Sequence, residues 1–213
     1  MIEVRMGRTK SSSRWLQEHV NDPYVIKAQQ VGYRSRAAFK LLEINQKHHL
    51  LRPGLRVVDL GAAPGGWSQV AAKLVGEKGL VVALDILEMP PLPNVHFIQG
   101  DMREEDSLIC LKDIIGEAGV DVVLSDMAPN ISGINTVDQA RTMYLAEMAL
   151  EMAFISLRKG GCFLVKVFQG AGFDELIRTL RQHFGKVLVV KPQASRSRSR
   201  EIYLLAKEFI NNN

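Results

Sequence analysis

A chain of 213 residues, 46% of them apolar, can fold without disulfide or metal staples, since at this length folding buries roughly 70% of the unfolded surface. Its net charge of +4 hides an imbalance: residues 1–56 carry eleven Lys/Arg against four Asp/Glu, a balance of +7, and the rest sums to −3. No apolar run reaches the length of a membrane span, and Met1–Arg8 lacks the apolar segment of a signal peptide, so a cytoplasmic protein without membrane contacts is expected.

A basic end beside a near-neutral remainder points to a polyanionic partner, with nucleic acid as the first candidate; the plainer explanation is a solvated surface. Cys110 and Cys162 lie far apart in apolar contexts and read as buried free thiols, neither a disulfide framework nor a metal site. Residues 1–33 show no clean periodicity and read as a basic arm with a short helix near Trp15–Val20. Ser35 is placed to cap a helix over Arg36–Lys47, with Ala37, Leu41, Leu42 and Ile44 inward. Pro53-Gly54 closes this lead-in. The expected organisation is one compact unit, with residues 1–55 an arm and helix packed on a core of residues 56–213.

From Arg56 strands and helices alternate. Apolar, β-rich runs occur at Arg56–Leu60, Leu80–Asp85, Val95–Gln99, Asp121–Ser125, Cys162–Phe168 and Lys186–Val190. Helical spacing fills the gaps at Gly66–Val75, Asp106–Gly116, Val137–Leu157 and Phe173–Phe184. The long helix opens on Thr136-Val-Asp-Gln139, which has the form of a capping box, and is expected to stop at Gly160-Gly161. Near-continuous apolar strands alternating with helices predict a parallel sheet covered on both faces. Only ten residues separate Val190 from Glu201, too few for a parallel crossover. Glu201–Ala206 should therefore run antiparallel. The predicted fold is α/β, a doubly wound, Rossmann-like methyltransferase sheet closed by one antiparallel C-terminal strand.

In such sheets ligands bind beyond the carboxyl ends of the strands, and polar residues gather there. Successive strand ends deliver Asp59, Asp85, Asp101, Asp126 and Lys166; an antiparallel last strand adds Glu201 at the same edge. Each alone has a dull explanation, such as a capping acid or a lysine reaching solvent; their convergence does not. After Asp59 comes the turn Gly61-Ala-Ala-Pro-Gly-Gly66, opening a helix. Gly61, Gly65 and Gly66 allow close approach of a ligand to backbone. A dinucleotide site needs a glycine and a free N–H where Ala63 and Pro64 stand, so a pyrophosphate is poorly served and a nicotinamide oxidoreductase disfavoured. Asp85, 24 residues after Gly61, suits ribose hydroxyls, and Asp101 is placed to meet an adenine amino group. An adenosine site without a phosphate subsite fits S-adenosyl-L-methionine. Methyl transfer to a hydroxyl needs a proton acceptor, so the chemistry is expected to hang on Asp126 and Lys166, with Lys166 as that base or as an electrostatic positioner of the oxygen.

Those residues, with Tyr33-Arg-Ser-Arg-Ala-Ala-Phe-Lys-Leu41, Asp59-Leu-Gly-Ala-Ala-Pro-Gly-Gly-Trp-Ser68, Ser125-Asp-Met-Ala-Pro-Asn130, Val165-Lys-Val-Phe-Gln169 and Ser195-Arg-Ser-Arg-Ser-Arg-Glu201, closely resemble the FtsJ-type (RlmE, or RrmJ) ribosomal RNA methyltransferases. The resemblance implies an S-adenosylmethionine-dependent methyltransferase domain over residues 56–213. It also implies methylation of the ribose 2′-hydroxyl of a uridine in large-subunit (23S) rRNA. Carried over by position, the family's Lys-Asp-Lys-Glu tetrad falls on Lys40, Asp126, Lys166 and Glu201. The cofactor contacts fall on Gly65, Trp67, Asp85, Asp101 and Asp126, beside Asp59 and Gly61 of the turn itself. No resident metal, no DNA partner and a monomer are expected. Arg5, Arg8, Lys10, Arg14, Arg34, Arg36, Arg196, Arg198 and Arg200 could line an RNA path. The rivals are a transfer-RNA target and a non-catalytic ribosome-assembly factor that keeps the fold without the activity.

Overall fold

The computed structural model describes residues 20–196 and 199–210. Among these residues seven strands form one sheet: β1 (Arg56–Leu60), β2 (Leu80–Asp85), β3 (His96–Gln99), β4 (Val120–Ser125), β5 (Leu157–Phe168), β6 (Phe184–Val190) and β7 (Glu201–Phe209), in the order β3-β2-β1-β4-β5-β7-β6. β1 to β5 pair in parallel, and β7 runs antiparallel between β5 and β6. The short connection from Val190 to Glu201 thus forces the reversal that its length predicts. The helices among them are α1 (Pro23–Val31), α2 (Ala38–His48), α3 (Gly66–Val75), α4 (Glu105–Ile115), α5 (Asn135–Ser156) and α6 (Phe173–His183). None of the helices among the described residues is long and apolar enough to cross a membrane.

Strand alternation sorts the core into two layers. Val58, Leu60, Val82, Leu84, Val165, Val167 and Leu204 pack with α4, α5 and α6, whereas Val57, Leu124, Leu164, Tyr203 and Leu205 pack with α2 and α3. By the same parity Asp59, Asp126, Lys166 and Glu201 belong to the α2 side. The strand order turns between β1 and β4, so their carboxyl ends frame the crevice where ligands of such sheets bind.

Several element ends differ from the sequence-based expectation. α1 is an additional helix: Asp22 caps it by accepting from the Tyr24 N–H, Pro23 starts it, and Gly32 ends it at φ +77°. Only Val25 and Ala28 of it are buried, so apolar spacing leaves it unannounced. The expected helix near Trp15–Val20 falls almost wholly outside the described residues. Ser35 does not cap α2, whose N-cap is Ala37 with no side-chain bond; a Cβ on Gly66 would collide with the Ser35 hydroxyl, which instead sits against the start of α3. Thr136 lies inside α5, and Asp138 turns back to accept from Ser132 and Gly133 N–H groups, bracing the preceding loop instead of forming a capping box. α5 ends at Ser156, and β5 begins at Leu157, before the two glycines. Cys110 is exposed and Cys162 half-buried, its thiol pushed up by burial, so the expectation of two buried thiols is corrected.

α2 carries Lys40 and sets its position. Ala38, Leu41 and Ile44 are fully buried on one side of the helix, at the spacing of an inward helical stripe, and this docking fixes where Lys40 lies. Replacing Ile44 with Ala should lower unfolding free energy by roughly 2–5 kcal/mol, read from urea denaturation. It should also reduce any activity that depends on Lys40, at temperatures where the fold still holds.

Candidate active site

Asp126 follows directly on β4, and three side chains close on its carboxylate. Lys166 lies on β5 directly across from Tyr203 of β7, on the same face. The Tyr203 hydroxyl donates to Asp126 Oδ1 at 2.6 Å, and Lys166 Nζ stands 3.0 Å from the same oxygen. Lys166 Nζ also donates to the Asp126 carbonyl oxygen at 2.5 Å. Lys40, from the first turn of α2, lies 3.7 Å from Asp126 Oδ1 and 2.9 Å from Glu201 Oε1. All four residues of the predicted tetrad therefore meet, although they come from α2, the β4 end, β5 and β7.

Burial alone pushes the Asp126 carboxyl up. The Lys166 and Lys40 ammoniums and the donated Tyr203 hydroxyl outweigh it, so the group is held below the usual carboxylate range. Burial, then the Asp126 and Glu201 charges, push the Tyr203 phenol well above its ordinary value, so it stays a donor. Tyr203 is fully buried, tilted against Trp67 at 5.7 Å between ring centroids, with Lys40 Nζ 5.7 Å from its own centroid. Sequence reasoning missed this tyrosine. The available signal was its place two residues after Glu201, which puts both on one face of the last strand.

The glycine turn is closed on itself. Gly61 and Ala62 N–H groups donate to Leu84 O, Gly65 N–H to Ala62 O, and Ala63 N–H to Asp85 Oδ2 at 2.8 Å. Pro64 has none to give. The N–H groups of residues 61–65 are thus spent within the protein, leaving no cradle for a pyrophosphate there. Gly61 and Gly65 take φ of +70° and +104°, which only glycine adopts without strain. A Cβ on Gly65 would also press within 3 Å of Met89, Arg34 and Leu92. Asp85 accepts from Ala63 and Leu87 N–H groups, one per oxygen, so each oxygen keeps a lone pair for a further donor. Asp101 is gripped by Arg103, whose guanidinium holds its carboxyl below the usual range. Trp67 is buried, and its indole N–H donates to Ala37 O at 2.8 Å; its side chain ties α3 to α2. Among the described residues no cluster of three His, Cys, Asp or Glu could hold a metal ion.

Beside the tetrad an open cleft of about 580 Å³ is lined by Arg36, Lys40, Ile131, Phe168, Arg196 and Glu201, among others. Arg36 and Arg196 both reach Asp22 Oδ2, at 2.5 and 3.4 Å. Arg34 serves the fold, donating to the carbonyls of Pro64, Pro90 and Pro91, and Arg200 donates to Asn135 Oδ1. Arg5, Arg8, Lys10, Arg14 and Arg198 lie outside the described residues.

Asp59 sits under the turn, 1% exposed, accepting from the Ser68 hydroxyl at 2.6 Å. Burial, with added repulsion from Asp126 and Asp85, raises its pKa to about 7 despite that bond. The folded form therefore keeps a proton that the unfolded chain loses near the ordinary value of 3.8, and stability falls as pH rises between these limits. Asp59→Asn should remove this fall. Relative to the parent, the variant should gain stability from pH 4 to pH 8, by at most about 4 kcal/mol at 1.36 per pH unit. Urea midpoints across that range measure it, and a pH-independent difference would contradict the assignment.

Comparison with known proteins is consistent across sequence and structure. The FtsJ-like methyltransferase family profile matches residues 33–209. A protein named ribosomal RNA large subunit methyltransferase E from Marinobacter nauticus is 60% identical over 204 residues, which cover 96% of this chain and 99% of that one. Its namesake from Pseudomonas paraeruginosa is 56% identical over the same length and shares. A crystal structure of a Plasmodium falciparum chain described as a ribosomal RNA methyltransferase superposes with a TM-score of 0.77 at 32% identity, over 84% of this chain and all of that one. The fibrillarin/Nop5p complex, at 20% identity and a TM-score of 0.56 over 80% of this chain and 81% of that one, shares the fold alone. A match over most of the chain, on a site whose tetrad is assembled, makes this chain a member of the FtsJ-like methyltransferase family.

Proposed function

We propose that the chain transfers a methyl group from S-adenosylmethionine to the ribose 2′-hydroxyl of a uridine in large-subunit ribosomal RNA. The carrying observation is Asp126, whose one carboxylate oxygen faces Lys166, Lys40 and Tyr203 at the edge of a cleft. The relatives named as large-subunit rRNA methyltransferases support the RNA target.

The residues fit an adenosine cofactor that lacks phosphate, because the turn N–H groups are internally spent while the Asp85 oxygens keep acceptor capacity. Ile86 and Leu87, 64% and 62% exposed, offer apolar surface beside Asp85. In this reading Asp85 and Asp101 receive ribose and adenine donors, and Arg103 gives way at Asp101. Gly61 and Gly65 admit the ligand, Asp59 and Trp67 brace the turn and helix, and Asp126 borders the methyl-bearing end. When bound, the cofactor supplies a methyl group on a sulfonium, open to displacement by an oxygen in line with the carbon–sulfur bond.

Lys166 then has a definite task. Its Nζ is tetrahedral, with two positions directed at Asp126 Oδ1 and O. For transfer the resting ammonium first gives up one proton to solvent, and the neutral amine then satisfies both with its two hydrogens and keeps a lone pair for the third. In the proposal that lone pair takes the 2′-proton as the oxygen–carbon bond forms and the carbon–sulfur bond breaks. Asp126 then faces an ammonium at full charge, which stabilises the developing product state. Lys40 and Glu201 pair across the cleft and hold Asp126 from the other side.

Incubation with ribosomal large subunits and S-adenosylmethionine should add one methyl group to a uridine ribose, located by mass mapping of the RNA. Lys166→Ala should abolish that transfer while leaving cofactor affinity within a few-fold; retained transfer by the variant would sink the mechanism. Tyr203→Phe removes a bond that lowers the Asp126 carboxyl, so the carboxyl should protonate more readily. The acid limb of the pH–rate profile should move to higher pH with little change in RNA affinity.

A further inference from the structure

At the far end of the sheet face that carries the tetrad stands a second group of cations. α2 begins beside Glu201 at the start of β7 and ends beside Lys207, six residues further along that strand. At about 3.3 Å per residue the two ends of this face are roughly 20 Å apart. Lys207 lies directly opposite Lys186 in the antiparallel register of β6 and β7, so both side chains stand on the α2 face. Lys47 and His49 arrive from the end of α2. Burial, then the charges of Lys207, Lys47, Lys186 and His49, hold the His48 imidazole below its ordinary range.

Like charges directly across a strand pair cost stability, and little at this patch offsets them. Lys207 has a local use, donating to His48 O at 2.7 Å, where a cation complements a helix C-terminus. Lys47 and Lys186 are exposed and have no ion-pair partner among the described residues. The nearest acid along β7, Glu208, takes φ +64° and lays its carboxylate over Gly185, and it forms no ion pair with Lys186 or Lys207 among the described residues. β6 is an edge strand, and an edge lysine discourages unwanted strand pairing. That accounts for Lys186 alone, since β7 is interior and Lys47 is helical.

We propose that Lys47, Lys186 and Lys207 form a second RNA-backbone contact, remote from the reacting ribose and on the same face of the protein. It rests on the reading of the chain as an RNA methyltransferase and names a surface which that reading does not require. Three convergent ammoniums recognise the charge density of successive phosphates and carry no base selectivity. The patch therefore contributes affinity, and the tetrad alone contributes the chemical step.

The test is the double variant K47Q/K186Q in the full chain, with Lys207 kept because it holds the end of α2. Binding is measured against poly(U) across a salt series, and methyl transfer against large subunits. Poly(U) affinity should fall roughly tenfold, and the salt slope should drop by about one to one and a half, near 0.7 for each phosphate that is no longer neutralised. The methyl-transfer rate at saturating subunits should be unchanged, and K47R/K186R should restore both binding measures. Unchanged poly(U) affinity and slope would overturn the proposal, whether or not the variant becomes less soluble. So would a loss of affinity confined to intact subunits, which would mark an acidic ribosomal protein as the partner. Because poly(U) binding needs no methylation, absence of transfer by the parent chain would sink the proposed function and leave this reading separately decided.

Discussion

The site depends on keeping one carboxylate ionised where water is scarce. Removing a carboxylate from solvent costs several kcal/mol unless cations and donors replace its hydration. Asp126 meets that cost with two ammoniums and a phenol, drawn from α2, β5 and β7. Each partner is itself buried, and each depends on Asp126 in turn: Lys166 is 7% exposed and Tyr203 fully buried. Loss of Asp126 would leave Lys166 without its carboxylate and the Tyr203 hydroxyl without its acceptor in a poorly solvated place. The chemistry and the packing of this face are therefore one problem, solved by one arrangement.

The supporting structure answers that requirement. α2 must dock tightly for Lys40 to reach Glu201, and Trp67 fixes it by donating to Ala37 O while packing against Tyr203. Glu43, on the outer side of α2, accepts from the Gln193 and Ala194 N–H groups and so ties the chain before β7 to the helix. Asp22 joins Arg36 and Arg196 in the same region. The segment leading into Glu201 is thereby held at both the helix and the strand. Arginines that look available for RNA by charge alone are in part committed to this frame.

The glycine turn shows how a general device is narrowed. Strand, turn and helix of this kind serve many nucleotide ligands, and the choice lies in which N–H groups remain free. Here Asp85 takes the Ala63 N–H, and backbone carbonyls take those of Gly61, Ala62 and Gly65. Asp85 thus closes the turn against phosphate while retaining lone pairs toward the ligand side. Asp59 below it, with its pKa near 7, adds little negative charge to a crowded acidic edge when protonated.

Much of this was legible in the linear chain because strand order, helix spacing and connection length are local properties. Apolar runs located every strand, the short link before Glu201 required the antiparallel β7, and Ala63-Pro64 argued against a dinucleotide. Local signals failed where two uses of one residue compete. Ser35 and Thr136 have capping chemistry but serve or yield to tertiary contacts, and α1 carries cap signals with almost no buried stripe. By itself the sequence determined which residues reach the carboxyl edge, since each stands at the end of a readable strand. Only the tertiary structure decided that Asp126, Lys166, Glu201 and Tyr203 share one face with Lys40 above them. The register of β5 against β7 and the docking of α2 set that meeting, and both are fixed by contacts between segments far apart in the chain.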